Sequence, residues 1–286
     1  MSAAAAEGAN FHDGATAEDF LRALGRGSGE RLPLAEAALA LALRERPGAD
    51  VGRYREHLTL LASSVAEAAL RAPDLAGRVA ALNAILYGRY GYAGNTVTYE
   101  DPQNANLMRV IDRRKGLPVA LGIVAIEVAR AQGWEMAGLA FPGHFLVRIE
   151  SQGERAILDP FNGGRTRAAP ELRELLGAIT GSAAALKPQH YELVSDREVL
   201  LRLQNNLKLR HLESQEPAKA LAVLEGMLLV APDQPRLLHE AGLLHIELGQ
   251  IAAAAAALER FLDHAEAEDD RRRAAVLLQR LKLRLN

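Results

Sequence analysis

The residues of this chain best suited to chemistry are an imidazole and a carboxylate carried on neighbouring extended segments. Phe-Pro-Gly-His-Phe-Leu-Val-Arg-Ile brings His144 to the start of one apolar run, and Ala-Ile-Leu-Asp-Pro-Phe-Asn-Gly-Gly ends another on Asp159. With Ser151-Gln152-Gly153-Glu154 between them, the two runs predict a β-hairpin. A two-residue turn at Ser151-Gln152 sets His144 directly opposite Asp159, whereas one at Gln152-Gly153 sets them diagonally on the same face. A three-residue loop puts them on opposite faces unless a bulge intervenes. A carboxylate bound to an imidazole fixes the tautomer of a general base, and it is equally an ordinary way to satisfy a buried histidine.

Other chemistries are poorly served. The chain has no cysteine, which excludes disulfides, thiolate metal sites and a cysteine nucleophile together. No Ser or Thr lies between Gly116 and Gln132, so a catalytic hydroxyl would have to come from Ser63, Ser64, Thr96 or Thr98. His144 and Asp159 are too few to hold zinc, which takes three or four protein ligands, and His57, Glu100 and Asp101 supply no recognisable ligand spacing around them. Neither a metal nor another cofactor is expected. The net charge is −2, and the clusters Arg113-Arg114-Lys115 and Arg271-Arg272-Arg273 sit beside acidic residues, a pattern unsuited to neutralising a run of phosphates. Nucleic acid is therefore not an expected partner. The N-terminus lacks a basic leader region, and no apolar run approaches the roughly 20 residues that span a bilayer. The expectation is a cytoplasmic protein without a membrane contact.

The elements that must position the pair are mostly helical. Apolar residues are 49% and charged residues 24%, a folding composition, and with aromatics at only 5% the core must be aliphatic and Ala-rich, which favours helices. Residues 1–14 read as a disordered tail, followed by a helix opening at Thr16 with Asp19 at capping-box spacing. Helical patterns continue over 34–44, 52–71 and 74–89, divided by Pro33, Pro47 and Pro73. A polar loop then runs from Tyr90 to Asn106, and loops of that length inside a compact domain are often functional. Its Asn95, Asp101, Asn104 and Asn106 are candidates to line a cleft, or else serve as turn and cap residues, with Asn104 or Asn106 capping the next helix. Residues 118–132 are apolar nearly all round, with Glu127 and Arg130 as the only charges, so this helix is central and buried. Strands are expected over 136–141, 144–150 and 155–159, giving an α+β, predominantly helical fold.

Beyond residue 196 the text repeats. A shift of 34 residues superimposes Leu209 on Leu243, His211 on His245, Glu213 on Glu247, Ala220 on Ala254 and Leu224-Glu225 on Leu258-Glu259, and 34 is the length of a tetratricopeptide unit. About two units fit between Arg197 and Ala265, with a capping helix near 270–285. Because about three units are usually needed for a stable array, this one should pack against the first domain as one rigid body. The recurrence of His211 and His245 points to a packing or surface role set by the repeat. Lys208, Arg210 and Arg236 are candidates to face a groove that accepts an acidic peptide.

The run from Tyr90 to Trp134, with Pro-Gly-His-Phe and Leu-Asp-Pro-Phe after it, resembles the bacterial SirB-type transglutaminase-like proteins over about residues 30–285. The resemblance implies a papain/transglutaminase-like core with a small antiparallel sheet over 15–192, then tetratricopeptide-type repeats with a capping helix over 193–286. Active transglutaminase-like proteins open the central helix with a nucleophilic cysteine; that position falls at or beside Pro118, and His144 and Asp159 match the other two members of the triad. A helix N-terminus activates a thiol by favouring the thiolate, but proline offers neither a nucleophile nor a backbone N–H, although it starts helices well. The resemblance and the missing nucleophile together imply a pseudoenzyme: a non-catalytic protein-interaction or regulatory module with a protein or peptide partner. The alternative is a hydrolase or acyl-transfer enzyme in which His144, oriented by Asp159, activates water or a hydroxyl. A third reading is a scaffold without a cleft ligand.

Overall fold

The computed structural model describes residues 11–29, 31–70, 74–181 and 185–285. The chain begins with a helical layer. Helix α1 (Gly14–Arg26) is capped by Asp13, whose carboxylate accepts from the Thr16 amide at 2.9 Å while the Thr16 hydroxyl reaches back to the Asp13 amide. The expected cap at Thr16 is thus displaced one turn upstream, because Asp13 is as good a cap as Thr and Asp19 is engaged by Arg22 instead. Of the expected N-terminal tail, residues 1–10 lie outside the described residues, and Phe11 is buried against Phe20 under the Arg55 guanidinium.

Helix α2 (Leu34–Glu45) is buried on most sides, its alternating Ala and Leu letting neighbours approach closely. Helices α3 (Gly52–Ala69) and α4 (Leu75–Asn83) come next, and the wider turn Ala84–Arg89 prolongs α4. Helix α5 (Leu107–Arg113) is capped by Asn106. Helix α6 (Pro118–Arg130) is the central element: every residue in it but Glu127 and Arg130 is buried, as its lack of a polar face requires.

Strands β1 (Ala93–Gly94) and β2 (Lys115–Gly116) pair in parallel just before α6. The main sheet is antiparallel, β3 (Glu135–Gly138), β4 (Val147–Ser151), β5 (Glu154–Asp159) and β6 (Arg165–Thr166) in that order. The hairpin turns on Gln152-Gly153, both at positive φ (52° and 84°), and pairs Ser151 with Glu154. It is the diagonal register of the three read from the sequence. Strands β3 and β4 are shorter than the sequence pattern suggests, because Pro142 has no amide to donate and Gly143 turns at φ 68°, so the Pro-Gly-His segment leaves the sheet as a loop. Helix α7 (Ala169–Thr180) covers this loop, packing Leu172 and Leu176 on Leu139, Phe141 and Leu146.

The remainder is two helical hairpins and an end helix: α8 (Asp196–Glu213) with α9 (Pro217–Val230), α10 (Pro235–Glu247) with α11 (Ile251–His264), then α12 (Glu268–Leu285). Ala220 and Ala254 are fully buried where the paired helices meet. The recurrent histidines do the same work in each hairpin: His211 Nδ1 lies 3.0 Å from the Glu216 carboxylate and His245 Nδ1 2.6 Å from the Gln250 side-chain oxygen, closing equivalent turns. The core of α8, α9 and α10 is continuous with that of the first domain, so the short array is not free-standing. At the seam, Gly25 of α1 lies flat on α9. A Cβ there would fall 2.1 Å from the Leu229 carbonyl oxygen, which is backbone and cannot swing away. Gly25→Ala should therefore cost about 1–3 kcal/mol, the usual range for overpacking. A urea midpoint equal to that of the parent would show that α1 does not rest on α9 in this way.

Candidate functional site

His144 comes directly after the positive-φ Gly143, and Asp159 closes β5 as the backbone tightens into the single turn Pro160–Asn162. Their side chains meet, with His144 Nε2 2.9 Å from Asp159 Oδ1. Asp159 is fully buried and its carboxylate is saturated with donors. Oδ1 also accepts from the Phe161 amide at 3.2 Å and the Asn162 amide at 3.3 Å. Oδ2 accepts from Asn162 Nδ2 at 2.8 Å and from Arg167 through Nε at 3.1 Å and Nη2 at 2.7 Å. Burial is the largest single influence on Asp159 and opposes ionisation. The hydrogen bond and charge of His144, together with Asn162 and Arg167, outweigh it and hold the carboxyl well below the usual carboxylate range.

An ionised carboxylate can only accept, so its bond to Nε2 requires the proton on that nitrogen. Nδ1 is then the basic nitrogen. Among the described residues none hydrogen-bonds to it, and the side chain keeps 14% of its surface exposed. The ring stands edge-on to Phe161 at 6.2 Å, and Phe161 stands edge-on to Tyr99 at 5.8 Å. Two glycines make room for this wall. A Cβ on Gly94 would fall 2.5 Å from the Phe161 ring, and one on Gly122 of α6 would fall 2.4 Å from the Phe145 ring. Phe161 beside His144 is thereby seated on β1, and Phe145, the next residue in the chain after His144, on the central helix.

Pro118 occupies the first turn of α6, buried, after Leu117 as a cap residue without a side-chain cap bond. It presents neither a nucleophilic atom nor an amide. The loop residues lie around this helix start. Asn95 donates to Thr98 Oγ1 at 2.8 Å and to Asn104 Oδ1 at 2.9 Å, and Asn104 donates to the Thr98 and Tyr99 carbonyls. The Asn104 carbonyl in turn receives the Leu117 amide at 3.0 Å, immediately ahead of Pro118. Asn106 caps α5 through the Arg109 amide and donates to the Ala42 carbonyl. Asp101 caps the short turn Pro102–Ala105 and lies 3.7 Å from Arg113. Asn95, Asn104 and Asn106 are buried, so their geometry is that of a framework behind the helix start.

Arg167, Asn162, Tyr99 and Phe161 complete the surroundings of the pair but do not stand out in the sequence. Asn162 lies three residues after Asp159, a spacing typical of side chain to backbone turns, which is a readable signal. Arg167 gives none, because it lies just past the two-residue strand β6, which is too short for alternation to register. Among the described residues no group of three or more His, Asp or Glu is arranged to hold a metal ion, and no helix is long and apolar enough to cross a membrane.

A buried helix flanked by an imidazole–carboxylate hairpin is the architecture of transglutaminase-like proteins, and the comparison with known families agrees. Residues 52–205 match the transglutaminase-like superfamily and residues 207–279 match the tetratricopeptide repeat. The first match takes in more than half of the chain, which therefore belongs to the transglutaminase-like superfamily. More narrowly, it is of the SirB type. It is 35% identical over 240 residues to a UPF0162 protein of Xylella fastidiosa (strain Temecula1), covering 82% of this chain and 84% of that one. It is 28% identical over 168 residues to Protein SirB1 of Salmonella typhimurium, covering 58% and 62% respectively. A mouse protein, F-box only protein 21, is 29% identical over 180 residues, 59% of this chain but 28% of that longer protein.

Proposed function

We propose that this protein is a non-catalytic transglutaminase-like module that works by binding a protein or peptide, in a regulatory or interaction role and in a cytoplasmic setting. In this reading residues 15–192 form the silent enzyme-like domain and residues 193–286 the repeat arm. One observation carries it: the base and its orienting carboxylate are assembled at full hydrogen-bonding distance, while the residue opening α6 is Pro118 and the chain holds no sulfur nucleophile. Further support comes from the tetratricopeptide hairpins, a fold whose extended surfaces are generally used for protein contacts. Asp159 also makes structural bonds to Arg167 and two backbone amides, so the pair has a reason to persist without catalysis.

The second reading, hydrolysis by activated water, rests on the free Nδ1 of His144 and its partial exposure. The two separate cleanly in one assay. The parent and His144→Ala, offered a broad panel of amides and esters, should give equal rates indistinguishable from buffer. A turnover that the parent shows and His144→Ala loses would establish the hydrolase and end the non-catalytic reading.

A further inference from the structure

The cations singled out on the repeats are divided by the fold between two places. Arg210 is buried and turns toward the first domain, where it bonds to the Tyr99 carbonyl at 3.1 Å and lies 3.2 Å from the Glu100 carboxylate. Its place beside the groove is taken by Arg202. A cavity of about 190 Å³ opens between α8 and α10, lined by Arg202, Asn205 and Lys208 on one side and by Gln234, Arg236 and Leu237 on the other.

The charges around this cavity do not balance. Lys208, almost wholly buried, and Arg236, largely exposed, share the single carboxylate of Glu240. Arg202 has no carboxylate within ion-pairing distance among the described residues; it donates to the Phe141 carbonyl at 3.3 Å and lies over the Phe145 ring at 5.4 Å. No Asp or Glu is among the residues that line the cavity. Burial also lowers the Arg202 pKa, the mark of a cation held without a compensating anion. Beside the three cations, the amides of Asn205 and Gln234 can both donate and accept.

We propose that the groove between α8 and α10 binds an acidic peptide segment, with one Glu or Asp side chain seated between Arg202, Lys208 and Arg236. The volume suits a single carboxylate side chain and excludes a drug-sized ligand, which needs about 300 Å³ or more. A planar guanidinium such as Arg202 engages a carboxylate through two parallel N–H donors, and a second cation at the rim speeds and orients the encounter. Arg202 itself also touches the segment around His144, through the Phe141 carbonyl and the Phe145 ring.

This deepens the interaction reading and rests on it, but it is tested separately. The full chain is applied to a peptide array on which each Glu- or Asp-containing sequence is printed beside its Gln or Asn counterpart. The parent should hold acidic sequences at least tenfold more strongly than their amide partners, with the preference shrinking as salt is raised. Arg236→Gln, at an exposed position, and Arg202→Gln should each reduce that preference severalfold, and Arg22→Gln, in an exposed ion pair on α1, should leave it unchanged. An array with no acidic preference overturns the proposal, as does a preference that both arginine variants retain. Displacement of the bound acidic peptides by a single-stranded oligonucleotide at equal concentration overturns it in favour of a phosphate backbone. Hydrolysis dependent on His144 would end the non-catalytic reading and leave the groove result standing.

Discussion

Asp159→Asn is expected to destabilise the protein by about 3–5 kcal/mol, the range for removing one partner from a buried ion pair, measured as a loss of urea stability. The size reflects the donor arrangement. Six donor atoms converge on the carboxylate, three on each oxygen. An asparagine amide has only one accepting oxygen, so either orientation turns its NH₂ toward N–H groups that need an acceptor. Arg167, with 15% of its side chain exposed, would also be left without its counter-charge. The pH dependence has a definite sign. A carboxyl whose folded pKa is depressed contributes stability that is fully present above its unfolded value of about 3.9 and is lost as the pH falls through the folded value. The gap between parent and Asp159→Asn should therefore hold steady above about pH 5 and close below about pH 4. A gap that widens toward acid, or a variant as stable as the parent at neutral pH, would show that Asp159 is not held as an anion.

The second large effect belongs to the joint between the two parts of the chain. Asp196, in the first turn of α8 and 3% exposed, takes Arg130 of α6 through both oxygens at 2.7 and 2.9 Å, and accepts the Leu32 amide at 2.7 Å. Three segments far apart in sequence are thus tied to one carboxylate. Asp196→Ala should also cost about 3–5 kcal/mol, because it strands a guanidinium that water barely reaches. The exposed pair Asp19–Arg22 is the natural control: its loss should cost no more than about 0.5 kcal/mol. Hydrogen exchange gives the decisive readout. Amides of α8 and α9 should lose protection on Asp196→Ala while those of α6 are affected less. Uniform loss through both parts, or none, would mean that this joint does not couple them.

The legibility of the fold varies with the range of the interaction. Helices α2, α3 and α6 can be read from periodicity and proline spacing to within two residues, because those signals are local. The hairpin is legible, but its sequence admits three registers. Gln152 and Gly153 decide among them by both taking positive φ, which a type I′ turn requires and which glycine makes easy only at the second position. The sequence pattern overextends the strand ends because alternation runs through Leu139, Phe141 and Phe145 while Pro142 and Gly143 break the ladder beneath it. His144 and Asp159 are identifiable as a pair. Arg167, which anchors the carboxylate from the other side, is not, because nothing near it marks the turn that returns it to Asp159.

By itself the sequence determined that this chain has no thiol chemistry, that its central helix opens on Pro118, and that its second part repeats every 34 residues. Those are facts of composition and local spacing, and they do not depend on how distant segments meet. Tertiary structure alone decided that six donors would close on Asp159, that Asp196 of α8 would bind Arg130 and the Leu32 amide, and that Arg202 would flank the repeat groove while Arg210 turned to Tyr99. Each of these outcomes pairs groups from separate elements. Which donor reaches which acceptor is then fixed by strand register and by the fit of one packed surface against another, neither of which is written in any single stretch of the chain.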